Sequence, residues 1–178
     1  LAILKLGGNS LAAEGAGVLA PAVGSDESRL VEFSIPQNAI GADGAEHLAL
    51  AIATSPHLRI VDLSINALGD RGARAIFTRM AGTVAPRTLA PSTMPPRDIA
   101  ASICGLIDLN LSHNGLSAEC APAIARGLLN RPDLTTVRLQ RNLLGDAGAE
   151  AIAMSLREGC GVTELNLSEN RISDEGAM

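Results

Sequence analysis

An α/β solenoid, with parallel strands lining a concave face and helices on the convex face, is the fold class the sequence predicts, and three observations predict it. Asparagines recur at Asn9, Asn38, Asn66, Asn114, Asn142 and Asn170, at intervals of 29, 28, 48, 28 and 28 residues. Around each returns the apolar frame L-x-x-L-x-L-x-x-N-x-L, as in Leu1, Leu4, Leu6, Asn9, Leu11 or in Leu134, Val137, Leu139, Asn142, Leu144. A second half rich in Gly and Ala follows: "GADGAEHLALAI" from Gly41, "GDRGARAIFTRM" from Gly69, "SAECAPAIARGL" from Ser117 and "GDAGAEAIAMSL" from Gly145. Self-similarity at a fixed period is the signature of a repeat architecture.

Each unit begins with a strand, since the L-x-L portion alternates with period two and so buries one face. Units start at residues 1, 30, 58, 106, 134 and 162. The asparagine turn comes next. There the chain swings inward with its N–H and C=O groups unserved by ladder or water, and a side-chain amide supplies both donors and an acceptor. Asn9, Asn38, Asn66, Asn114, Asn142 and Asn170 therefore form a structural ladder rather than a ligand site. A helix closes the unit: Ala149, Ile152, Ala153 and Leu156 follow the i, i+3, i+4, i+7 spacing of an amphipathic helix, entered through the bend at Gly145-Asp146. No unit can bury its apolar side alone, so neighbours stack. Strands sit about 4.8 Å apart and helices about 8–10 Å apart, which curves the stack with the strands inside.

One interval is 20 residues too long. The surplus, residues 81–102, carries Pro86, Pro91, Pro95 and Pro96, which exclude helix and central strand and read as an insertion loop leaving a helix end. Cys120 fills the slot held elsewhere by Gly15, Gly44, Gly72, Gly148 and Gly176, as a small residue where two helices lie close. The chain reads as one domain, residues 1–178, excerpted from a longer array, because solenoids need polar terminal units and this one starts at the first leucine of a repeat.

Composition narrows function further. There is no Trp or Tyr, and only Phe33 and Phe77 among aromatics, so the interior is filled by small repetitive side chains, as suits a layered stack. A net charge of −5 gives no electrostatic footprint for nucleic acid or an anionic membrane. Cys104, Cys120 and Cys160 show no CxxC spacing, which favours a reducing, cytoplasmic setting. No apolar run approaches a bilayer span and the start lacks signal-peptide features.

The 28-residue period and the "LGDxGAxxIAxxL" second half resemble leucine-rich repeats of the ribonuclease-inhibitor type, over essentially the whole chain except residues 81–102. The resemblance implies a right-handed horseshoe used mainly for protein binding. Relatives in that family include ribonuclease inhibitor, NOD-like receptor repeats, Ran GTPase-activating protein and actin-regulating scaffolds.

Catalysis finds no support in motifs: there is no P-loop, GxGxxG, HExxH or GxSxG, and His47, His57 and His113 share no metal-ligand spacing. No cofactor or metal is expected, and no catalytic residues. The strand positions facing away from the leucines are the candidates. One slot reads Ile3, Glu32, Ile60, Asp108, Thr136, Glu164, and the other Lys5, Ser34, Asp62, Asn110, Arg138, Asn166. Glu32, Asp62, Asp108, Asn110, Arg138 and Glu164 are the expected partner contacts, with Glu32, Asp62 and Asp108 read as one acidic stripe about 10 Å long that suits a partner with a basic surface. A protein-interaction module is the leading reading. A GTPase activator resembling the Ran-directed family, or a structural spacer in a ciliary or cytoskeletal assembly, are its alternatives.

Overall fold

The computed structural model describes residues 1–82, 105–174 and 176. Along the chain run β1 (Ile3–Lys5), α1 (Ala12–Gly24), β2 (Glu32–Ser34), α2 (Gly41–Thr54), β3 (Ile60–Asp62), α3 (Gly69–Gly82) and β4 (Asp108–Asn110). A 3-10 turn (Ala118–Cys120), α4 (Ala121–Leu129), β5 (Thr136–Arg138), α5 (Gly145–Arg157) and β6 (Glu164–Asn166) complete it. Residues 81 and 82, expected in the insertion, close α3 instead; the rest of that expectation, with Cys104, falls on residues outside those described.

The six strands form one parallel sheet in sequence order. Each has three residues because the chain must turn back at every asparagine. Register follows the repeat: Phe33 pairs with Val61, Val61 with Leu109, and Leu109 with Val137. The β3–β4 pair stays in step although 48 residues separate Val61 from Leu109. These middle residues point inward and are fully buried from β2 to β5, whereas Leu4 and Leu165, in the outermost strands, are only partly covered. Burial is thus conferred by neighbours on both sides, as stacking requires.

Each helix packs on the next through its small residues. A Cβ at Gly44 would stand 3.2 Å from the Cβ of Ala16, and one at Gly72 would stand 3.0 Å from the Cβ of Ala45. Such spacing leaves room for little beyond glycine, yet Cys120 occupies the equivalent slot and is fully buried. Local geometry explains it. Gly41, Gly69 and Gly145 open their helices at φ of +64°, +59° and +58°, a conformation cheap only for glycine. Ser117 cannot follow at that cost and stays extended, at φ −104° and ψ −179°, its hydroxyl accepting from Glu119 N–H. The helix expected from this segment therefore starts as a 3-10 turn and becomes α-helical at Ala121.

The apolar stripe expected along α5 is only half realised. Ala149 and Ile152 are buried, but Ala153 is exposed and Leu156 is 43% exposed. Their counterparts in α2, Ala49 and Ile52, are buried. α2 has a helix on either side, whereas among the described residues α5 packs only on α4 and the 3-10 turn that leads into it, so half of its stripe meets no neighbour.

Candidate functional site: the concave face and its asparagine rim

The turn after each strand is strained. Gln37 and Ala39 take φ of 56° and 52°, Ile65 and Ala67 take 56° and 55°, and His113 takes 55°, all left-handed values that cost non-glycine residues about 1–2 kcal/mol each. Between them the asparagine amides hold the turns in place. Asn66 Nδ2 donates to Ile35 O (2.8 Å) in the preceding unit and to Leu63 O (3.1 Å) in its own. Its Oδ1 accepts from Asn38 N–H at 2.9 Å. The same reciprocal contact continues as Asn66 N–H to Asn114 Oδ1 and Asn114 N–H to Asn142 Oδ1, both 2.9 Å. Asn142 and Asn170 reach back to Leu111 O and Leu139 O. Asn9 is the exception: it is exposed, and its amide donates within its own turn, to Leu6 O at 2.9 Å and Gly7 O at 3.4 Å.

Above this rim the concave face is laid out in two rows. One runs Ile3, Glu32, Ile60, Asp108, Thr136, Glu164, and the next Lys5, Ser34, Asp62, Asn110, Arg138, Asn166. The register corrects the acidic stripe. Glu32 and Asp108 share a row with Ile60 between them, while Asp62 lies two residues further along, between Ser34 and Asn110. A shift of two residues keeps a side chain on the same face but moves it to the neighbouring row. Two of the three carboxylates are also occupied: Glu32 pairs with Lys5 at 2.8 Å and Asp108 with Arg138 at 2.5 Å. The hydrogen bond that Arg138 donates to Asp108 raises the Arg138 pKa, against a smaller opposing effect of burial, and the charges of Asp108, Glu164 and Asp62 raise it further.

Asp62 and Glu164 form no ion pair among the described residues. Asp62 Oδ1 accepts instead from Ser64 N–H (2.9 Å) and Oγ (2.7 Å). Asn110 and Asn166 make the same turn bond, to Ser112 N–H and Ser168 N–H, each at 3.0 Å. The sequence carries this as [D/N]-L-S in three units, a local Asx turn that reading Asn110 purely as an open-face contact overlooks.

Two further polar devices were not visible as sites in the sequence. Asp70 accepts from Ser117 N–H and Oγ, both at 2.7 Å, and Asp146 accepts from Ser173 N–H and Oγ at 2.7 and 2.8 Å. Burial pushes the Asp70 carboxyl up, but the two Ser117 bonds, a Cys120 contact and the Arg74 charge outweigh it and leave it below its ordinary value. For Asp146 the Ser173 bonds dominate and lower it. Burial, with Asp70 beside it, pushes the Cys120 thiol up to about 12, so it is a packed small residue and not a nucleophile. The second device is Arg131, 7% exposed, whose Nε donates to Met80 O (2.9 Å) and Nη2 to Ala53 O (2.8 Å). One guanidinium thus caps the C-terminal ends of α3 and α2, where its charge also meets the negative ends of their dipoles.

Among the described residues no group of His, Cys, Asp and Glu could hold a metal ion, and no helix is long and apolar enough to cross a membrane.

Comparison with known proteins agrees with this geometry. A family model described as Leucine Rich repeat matches residues 54–77, 132–153 and 162–178. The chain is 28% identical over 145 residues to NACHT, LRR and PYD domains-containing protein 5 of Bos taurus, covering 82% of the chain and 12% of that protein. It is 29% identical over 147 residues to the ribonuclease inhibitor of Sus scrofa, covering 83% of the chain and 28% of the inhibitor. The chain thus spans well under a third of either relative. Among solved structures, actin-binding site 2 of leiomodin-1 superposes with a TM-score of 0.65 at 19% identity, over 83% of this chain and 76% of that one. The tropomodulin C-terminal domain of Caenorhabditis elegans gives 0.61 at 18%, over 93% and 86%. At such identities the two structures establish a shared fold.

Proposed function

We propose, from the premise that this chain is a leucine-rich repeat protein of the ribonuclease-inhibitor-like type, that it is a non-catalytic protein-interaction module whose partner seats on the concave face. The observation that carries the reading is the centre of that face. β3 displays Ile60, 38% exposed, and Asp62, bracketed by the Lys5–Glu32 pair on one side and the Asp108–Arg138 pair on the other. Ser34 and Asn110, short side chains, flank Asp62 in its row.

A partner lysine or arginine fits this recess: its stem lies along Ile60 and its head meets Asp62, burying methylenes while gaining a charge-assisted bond. Glu164 extends the acidic surface toward β6, and Glu32, Asp108 and Arg138 hold the walls through their own pairs. The missing aromatics argue for modest affinity, since the strongest interface anchors are Trp, Tyr and Arg. Actin, named in the description of the leiomodin-1 domain, is one protein to try first. A cytoplasmic setting accords with Cys120 and Cys160 being free thiols.

The test compares the chain with Ile60→Asn and Asp62→Lys variants as bait, and measures which proteins are retained and how retention changes with salt. Loss of partners in both variants, and weakening with salt in the wild type, supports the reading. Unchanged retention and salt response would sink it and favour a structural spacer.

A further inference from the structure

Asn114 is followed by Gly115, whereas the other ladder asparagines precede Ser10, Ala39, Ala67, Leu143 and Arg171. Asparagine deamidates when the backbone nitrogen of the next residue attacks its side-chain Cγ, and glycine, without a Cβ, shields that nitrogen least and lets the chain reach the needed geometry. A bond forms between Gly115 N and Asn114 Cγ as the Cγ–Nδ2 bond breaks. The Gly115 amide proton is lost and the side-chain nitrogen leaves as ammonia. Water then opens the cyclic imide at either carbonyl, giving aspartate or its isomer with the main chain routed through the β-carbon. No oxidant or reductant enters.

The fold holds this reaction off. Asn114 is 2% exposed. Its Nδ2 donates to Leu63 O (3.0 Å) and Ser112 O (3.2 Å), and its Oδ1 accepts from Asn66 N–H (2.9 Å) and Leu68 N–H (3.3 Å). Three of those four bonds go to the preceding unit, 46 to 51 residues away in the chain. Cγ cannot swing toward Gly115 N without breaking them, so the side chain is free to react only when the rung opens. This is also the rung that joins β3's unit to β4's, on either side of residues 83–104.

We propose that Asn114-Gly115 is a deamidation site gated by the folded ladder, whose product marks chains in which this rung has opened and keeps them from closing it again. A carboxylate in place of the amide has no N–H for Leu63 O or Ser112 O and would face both oxygens with a negative charge. The isomerised product adds a main-chain carbon to a turn whose register the neighbouring units fix. Either product is excluded from the position Asn114 holds.

The test ages the protein at mildly alkaline pH in buffer and in concentrated urea, and reads Asn114 by peptide mass spectrometry with a chemical assay for isoaspartate. Asn114 is expected to be the fastest asparagine in urea and slower by at least about tenfold in buffer, which needs only ~1.4 kcal/mol of opening free energy. Refolded yield after ageing in urea should fall in step with the deamidated fraction. Gly115→Ala, whose added Cβ meets nothing within 4 Å although its φ of +70° adds strain, should age more slowly in urea and keep its yield. Equal rates in buffer and urea would overturn the gating. A wild-type yield that does not follow the deamidated fraction, or Asn114→Asp as stable as the wild type, would overturn the consequence.

Discussion

Replacing Asn66 by alanine should cost about 2 kcal/mol, and the figure follows from the groups it strands. The amide donates to Ile35 O (2.8 Å), Leu63 O (3.1 Å) and Ser64 O (3.1 Å) and accepts from Asn38 N–H (2.9 Å), with a longer contact from Ile40 N–H (3.5 Å). Alanine leaves Asn38 N–H and Ile40 N–H unmatched at a site only 1% exposed, whereas Ile35 O and Leu63 O keep bonds from Asn38 Nδ2 (3.1 Å) and Asn114 Nδ2 (3.0 Å). At about 1 kcal/mol for each stranded N–H, the low end for buried unsatisfied groups, the two sum to ~2 kcal/mol. Asn9→Ala supplies the internal comparison, since that exposed amide bonds only within its own turn, and the loss should stay below ~1 kcal/mol. Asn110→Ala should cost ~0.5–1 kcal/mol, for its single turn bond to Ser112. With no Trp or Tyr in the chain, urea unfolding is followed by far-ultraviolet circular dichroism, midpoint and slope together. A reduced slope for Asn66→Ala would show that part of the stack unfolds separately. Equal losses for Asn66→Ala and Asn9→Ala would refute the reasoning, because the ladder bonds between units would then contribute nothing beyond a local turn.

Arg131→Met, which keeps much of the stem and removes the cation from Met80 O and Ala53 O, should destabilise by roughly 2–4 kcal/mol, read as a lower urea midpoint; a change under ~1 kcal/mol would show that these helix ends do not depend on it. Ile65 is 46% exposed at φ 56°, so Ile65→Asn should stabilise by ~0.5–1 kcal/mol, since asparagine tolerates that conformation and β-branched residues do not; a loss of stability in the same assay would mean that Ile65 makes contacts worth more than its strain. Asp70 has a folded pKa below its ordinary value, so its contribution is complete above the unfolded value of about 4 and is lost as pH falls through the folded value. Ser117→Ala removes the hydroxyl bond and should flatten the acid loss of stability across that window; unfolding midpoints measured from neutral to acid pH would show an unchanged slope if the Ser117 hydroxyl plays no part.

Whatever repeats in this chain is legible from the order of its residues. The period of two in L-x-L, the fixed place of each asparagine and the return every 28 residues assign a strand, a turn and a helix to every unit, and they order the strands side by side. Local periodicity also separates the buried leucines from the concave rows, because strand side chains alternate. Even the β3–β4 joint was legible, since Val61 and Leu109 occupy the same slot however many residues lie between. The effects of neighbouring units on one another emerge only in the stacked fold. Whether Glu32 and Asp108 stand as free carboxylates depends on Lys5 and Arg138 reaching across to them. Arg131 lies in no motif, and its partners are 51 and 78 residues distant. Ser117 forgoes the left-handed helix entry and is held by Asp70 of the preceding unit; Leu156, identical in pattern to buried Ile52, is exposed because, among the described residues, α5 has a helix on one side only. A periodic pattern specifies the position each residue takes within its unit. Charge pairing and burial belong to pairs of units, and they exist only once the units are stacked.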